Sequence, residues 1–204
     1  METGIWGKWW AGVARFGHCR GYGVHSPFAF DFLTNVVYER GVYYAYSDLD
    51  GRFPVRLFRR HVLKCRRFLF RLANYVHPGA IRLYGCWPEA EVAFLSAGCV
   101  SARVCPHMSP CRAGGRRPGA EAGEVVLDVV GADVPVACWK DIAGSIAEGR
   151  SVCVLAGIHA SAEARRQWEA VRSLPEAVVT FDLYDYGLVF YDRSKQRQHY
   201  IVKF

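Results

Sequence analysis

No apolar run in this chain approaches the ~18 residues that a membrane-spanning helix requires. The first residues, "METGIWGKWWAGVARFG", scatter their apolar side chains around Glu2 and Lys8 and lead to no cleavage site, so no export signal is read there. The two absences together predict a cytoplasmic protein without a transmembrane segment. Cysteine is not scarce, at eight residues, but no pair has the C-x-x-C spacing. In a chain of 204 residues without an export signal, that argues against a disulfide scaffold and for free, mostly buried thiols. Cys153, between Val152 and Val154, is an example. A Gly-x-Ser-x-Gly elbow and a Gly-Lys-Ser/Thr phosphate loop are both missing, as is a glycine-aromatic RNA-binding signature.

Acidic residues are scarce in the N-terminal part. Residues 1–80 hold 12 Lys/Arg against 5 Asp/Glu, a balance of +7, while residues 81–204 hold 14 of each. From Arg52 to Arg71 there is no acid at all. Phe58, Val62, Cys65, Leu69 and Leu72 in that stretch recur on one helical face, with Arg56, Arg59, Arg60, Lys64, Arg67 and Arg71 on the other. A long amphipathic helix over 54–76 is predicted. Its basic face is either simply solvated or a site for nucleic acid or an anionic surface.

About half of the residues are apolar, enough for a sizeable core. Trp6, Trp9, Trp10 and Val13 share one face of a short helix, which either docks on the domain or meets a membrane surface or partner. Ser26 and Pro27 open a second helix as cap and first turn. "VYYAYSDLDGRFP" reads as an aromatic loop. From residue 80 the pattern alternates: strands at Ala80–Gly85, Ala102–Cys105, Glu124–Val130 and Ser151–Ala156, with helices at Glu89–Ala97, Val134–Glu148 and Ser161–Ser173. Ala177–Leu183, Leu188–Tyr191 and Tyr200–Phe204 follow as strands, the first two joined at "YDYG". This order predicts an α/β fold with a mostly parallel sheet and an antiparallel C-terminal hairpin. The division expected is a helical extension over 1–78 and an α/β domain over 79–204.

Three stretches carry a resemblance: Gly23-Val24-His25-Ser26-Pro27-Phe28-Ala29-Phe30-Asp31, "AGIHAS" at Ala156–Ser161 and "RQHYIVKF" at Arg197–Phe204. Together with the strand–helix order they resemble a bacterial family of class I S-adenosylmethionine-dependent methyltransferase-like proteins, marked by a "GVHSPF" stretch. The resemblance implies a Rossmann-like methyltransferase fold, here shortened in the middle, because only His107 to Gly123 separates the second strand from the third. It places the cofactor loop after the first strand, where Gly85, Cys86 and, from the third strand, Asp128 would line an S-adenosylmethionine cleft. His159 is the candidate for handling a proton.

The same positions depart from that pattern. No acid precedes Gly85, where Leu83 and Tyr84 stand, and no second glycine follows it. The second strand ends without a carboxylate, and Ala156-Gly157 stands where an acidic pair is usual. Cys105, His107 and Cys111 offer metal-ligand atoms at no familiar zinc spacing, so no metal is expected there. The sequence thus predicts a methyltransferase-like protein of unknown substrate whose activity is reduced or lost. The alternative is a non-catalytic binding or scaffold protein using the basic helix or the tryptophan-rich N-terminus.

Overall fold

The computed structural model describes residues 26–56, 59–108, 124–144 and 151–204. The tryptophan helix, Cys111 and the end of the 134–148 segment lie outside these residues.

The N-terminal part opens with helix α1 (Pro27–Phe32). The Ser26 hydroxyl accepts the Ala29 N–H, and Pro27 occupies the first turn, where its missing N–H costs nothing. The helix widens into a π turn over Leu33–Val37, closed by the Tyr38 N–H donating to the Leu33 carbonyl. The aromatic stretch expected as a loop is instead helix α2 (Tyr44–Arg52). Tertiary packing overrides its turn-rich composition: Tyr46 and Leu49 are buried against Phe70 and Phe94.

The basic helix, α3, begins later than its periodicity predicts and runs Arg60–Val76. His77 ends it in the left-handed conformation, its N–H still bonded to Ala73, and Pro78 cannot continue it. The predicted basic face is only partly a surface. Arg71 is buried and donates to the Val36 carbonyl at 2.7 Å. Arg66 pairs with Glu91 at 3.1 Å, and Arg67 with Asp50 at 2.5 Å. Arg52, Arg56, Arg59 and Arg60 are exposed. The correction has a simple cause: periodicity sorts side chains into faces but says nothing of which neighbouring element will cover a face.

Seven strands form one sheet: β1 (Ala80–Tyr84), β2 (Arg103–Met108), β3 (Val126–Val130), β4 (Val152–Ala156), β5 (Val179–Asp182), β6 (Tyr186–Phe190) and β7 (Gln198–Ile201). Their order is β2-β1-β3-β4-β6-β5-β7. The first four are mutually parallel, β6 runs against both β4 and β5, and β7 is parallel to β5. The α/β architecture and the antiparallel β5–β6 pair agree with the sequence reading, and the sheet is mixed.

Among the described residues, three helices lie between these strands: α4 (Glu89–Gly98), α5 (Trp139–Gly144) and α6 (Ala162–Arg172). The helix expected over 134–148 is split, with a 3-10 turn at Val136–Cys138 before α5. Two cores result. Ile81, Leu83, Leu127, Val129 and Val154 join Phe32, Leu69, Leu72 and Leu95 on one face of the sheet. Val130, Cys153, Leu155 and Val189 join Trp139, Ile142, Trp168 and Val171 on the other. Strand residues alternate between these cores because successive side chains point to opposite faces.

Candidate functional site

β1 lies between β2 and β3, so the β1–β2 connection steps one way along the sheet and the β2–β3 connection steps back past β1 the other way. In open α/β sheets ligands bind at the carboxyl ends of strands at such a switch point. That edge carries Gly85 and Cys86 after β1, Gly131 after β3, His159 after β4, and the turn after β5.

The Gly85 turn is closed by its own chain. Gly85 has φ +84, a conformation that glycine adopts without steric cost. The Tyr84 carbonyl accepts two donors, the Gly131 N–H at 2.9 Å and the Trp87 indole N–H at 3.1 Å. The Cys86 N–H donates to Asp133 Oδ2 at 2.8 Å. The other Asp133 oxygen occupies the space above both glycines: a Cβ built on Gly85 would lie 2.4 Å from it, and one on Gly131 2.5 Å. Two backbone donors that such a turn could aim at a ligand, the Cys86 and Gly131 N–H groups, are therefore engaged within the chain. Asp133 was not singled out by the sequence reading. Its signal was the Gly-Ala-Asp turn after the third strand.

Asp128 does not stand at a strand end. It is the third residue of β3, fully buried, with Arg82 opposite it in register on β1. Arg82 donates to both carboxylate oxygens, Nε to Oδ1 at 2.7 Å and one terminal nitrogen to Oδ2 at 2.6 Å. Burial opposes the Arg82 charge, but its hydrogen bonds to Asp128 and the attraction of that carboxylate outweigh it, so its pKa is raised. Both carboxylate oxygens are thus spent inside the sheet. The strand runs two residues past Asp128, to Val130, so Asp128 meets Arg82 within the sheet.

His159 sits in the turn between β4 and α6, half-buried. Its Nε2 lies 2.7 Å from Asp182 Oδ2, and its ring stacks on Tyr184 at 5.0 Å and 3°. Asp182 ends β5 and also accepts the Tyr184 N–H at 2.9 Å. A carboxylate on one imidazole nitrogen fixes the ring's orientation and favours the N–H tautomer toward the carboxylate. The pairing with Asp182 suits a core-edge hydrogen bonder as well as a group that handles a proton.

A third group was missed. His61 and Cys65, one turn apart on α3, meet Asp185 from the β5–β6 turn. His61 Nε2 lies 3.0 Å from Asp185 Oδ2 and 3.7 Å from Cys65 Sγ. The Asp185 hydrogen bond is the main reason that the imidazole is pushed up to about 10. The i, i+4 spacing of His61 and Cys65 was legible in the sequence, but their meeting with a turn 120 residues later was not.

Searches against protein-family models, curated proteins and solved structures return no match to this chain. Among the described residues, no helix is long and apolar enough to cross a membrane.

Proposed function

We propose that this chain is a methyltransferase-like protein that no longer binds S-adenosylmethionine tightly and acts as a non-catalytic binding protein. The observation that carries the reading is the Asp133 carboxylate seated over Gly85 and Gly131, with the Cys86 N–H already donated to it. A cofactor entering there would have to displace a carboxylate from the Cys86 N–H and from two glycine faces. The three motif departures at Gly85, at the end of β2 and at Ala156-Gly157 point the same way. Each lost charged hydrogen bond removes about 1.5–3 kcal/mol. Two such losses weaken binding by roughly a hundred-fold to ten-thousand-fold. The strand order around the β1–β3 switch point and the β5–β6 pair are compatible with the family frame and support the resemblance. The exposed arginines at 52, 56, 59 and 60 are the surface on which such a protein would hold nucleic acid or another anionic partner.

Calorimetry of the full chain with S-adenosylhomocysteine tests the cofactor half of the reading. The expected result is no binding tighter than millimolar. Micromolar binding would overturn it and restore His159, held by Asp182, as the proton-handling residue of an active enzyme.

A further inference from the structure

We propose that His61, Cys65 and Asp185 form a zinc site that joins helix α3 to the β5–β6 turn. The donor set is one imidazole nitrogen, one sulfur and one carboxylate oxygen, the ligand types that zinc combines. Their placement has two independent origins. The helix period sets His61 and Cys65 on one face, a turn apart. The β5–β6 hairpin then brings Asp185 over that face, and the Gly157 N–H donating to the Asp185 carbonyl at 2.7 Å pins the turn.

A tetrahedral zinc centre, with Zn–S of about 2.3 Å and Zn–N and Zn–O of about 2.0–2.2 Å, holds its ligand atoms about 3.4–3.6 Å apart. The observed separations are 3.0 Å for His61 to Asp185 and 3.7 Å for His61 to Cys65, and all three ligand atoms lie within 4.8 Å of one another. Small side-chain rotations reach coordination distance without backbone movement. His61 is exposed, and Cys65 and Asp185 are half-buried, so an ion can enter from solvent. Tyr186, next to Asp185 in the chain, is buried, and its ring stacks on Phe68 at 5.5 Å. Three protein ligands leave the fourth position for water. On binding, the imidazolium and the thiol each give a proton to solvent, and zinc takes the two freed electron pairs. The proposal is independent of the cofactor reading, because none of the three residues lies in the Gly85 turn.

The test uses the full chain, stripped with chelator and titrated with Co²⁺ as a spectroscopic stand-in, then with Zn²⁺ by competition. The expected result is one equivalent bound, with a thiolate-to-cobalt charge-transfer band that Zn²⁺ abolishes. Cys65→Ser removes the band, while a Cys86→Ser/Cys105→Ser double variant keeps it. Asp185→Asn weakens Zn²⁺ by more than the roughly 10–100-fold typical of an outer-shell loss. Absence of the band in the parent protein, or its survival in Cys65→Ser, overturns the proposal. Should the variants unfold, alkylation of the parent protein decides. Zn²⁺ is expected to protect Cys65 from iodoacetamide, read by peptide mass spectrometry, and equal labelling with and without Zn²⁺ overturns the site.

Discussion

Replacing Asp128 by asparagine leaves a buried guanidinium with no charge opposite it. Arg82 and Asp128 are both under a tenth exposed, and their pairing is bidentate. Breaking one side of such a pair costs about 3–5 kcal/mol, because the remaining charge keeps its desolvation penalty and loses its partner. Asp128→Asn is therefore expected to lower the urea midpoint by that equivalent. Arg82→Met/Asp128→Leu, which removes both charges, is expected to recover most of the loss. A double variant as unstable as the single one would mean that the pair stabilises the sheet beyond its own desolvation. The same residues show why a strand-end aspartate is hard to assign from sequence. The letter pattern "VVLDVV" shows an acid within an apolar strand, and only the partner strand reveals that an arginine answers it.

Helix α3 divides along its length. Toward its C-terminus it is covered: Phe68, Leu69 and Leu72 enter the sheet core, Phe70 meets α2 and α4, and Arg71 is drawn in to the Val36 carbonyl. The closest approach is at Gly98 of α4, where a Cβ would lie 2.2 Å from the Phe70 carbonyl oxygen, so a glycine is required for the two helices to pack. Toward its N-terminus the arginines remain at the surface. If they hold nucleic acid, each neutralised phosphate contributes about 0.9 to the slope of log affinity against log salt on duplex DNA. Arg59→Gln/Arg60→Gln is then expected to reduce that slope by about 1.5 to 2 in a fluorescence-anisotropy titration. A parent protein that fails to bind duplex or single strands even at low salt removes nucleic acid from the proposed function. Arg66, Arg67 and Arg71 are not expected to matter to the slope, because Glu91, Asp50 and the Val36 carbonyl already engage them.

At the scale of the whole molecule, the N-terminal helices and the sheet share one core. Phe32 of α1 packs against Phe181 at 4.7 Å, Phe190 at 5.1 Å and Tyr75 at 5.6 Å, so three elements from distant parts of the sequence meet at one ring. Phe32→Ala is expected to cost about 3–5 kcal/mol and to lower a single unfolding transition, with no separate early step for the N-terminal helices. Two resolved transitions in calorimetry, only the first shifted by the substitution, would instead support the division at residue 78.

The sequence by itself determined the alternation of strands and helices, the cap at Ser26, the β5–β6 reversal and the departures at the Gly85 turn, because each is a local property of spacing or residue type. It also placed His159 correctly as a residue following the fourth strand. Only the tertiary structure decided which charges are spent. Asp128 looks like a cleft acid until Arg82 is seen beside it, and Arg71 looks like surface until Val36 is seen above it. The aromatic loop became α2 because burial of Tyr46 and Leu49 outweighed weak helix propensity. His61 and Cys65 acquired Asp185, His159 acquired Asp182, and Gly85 acquired Asp133, each from a segment further along the chain. Such pairings are set by how the strands order themselves in the sheet, and strand order depends on long-range packing that no window of sequence contains.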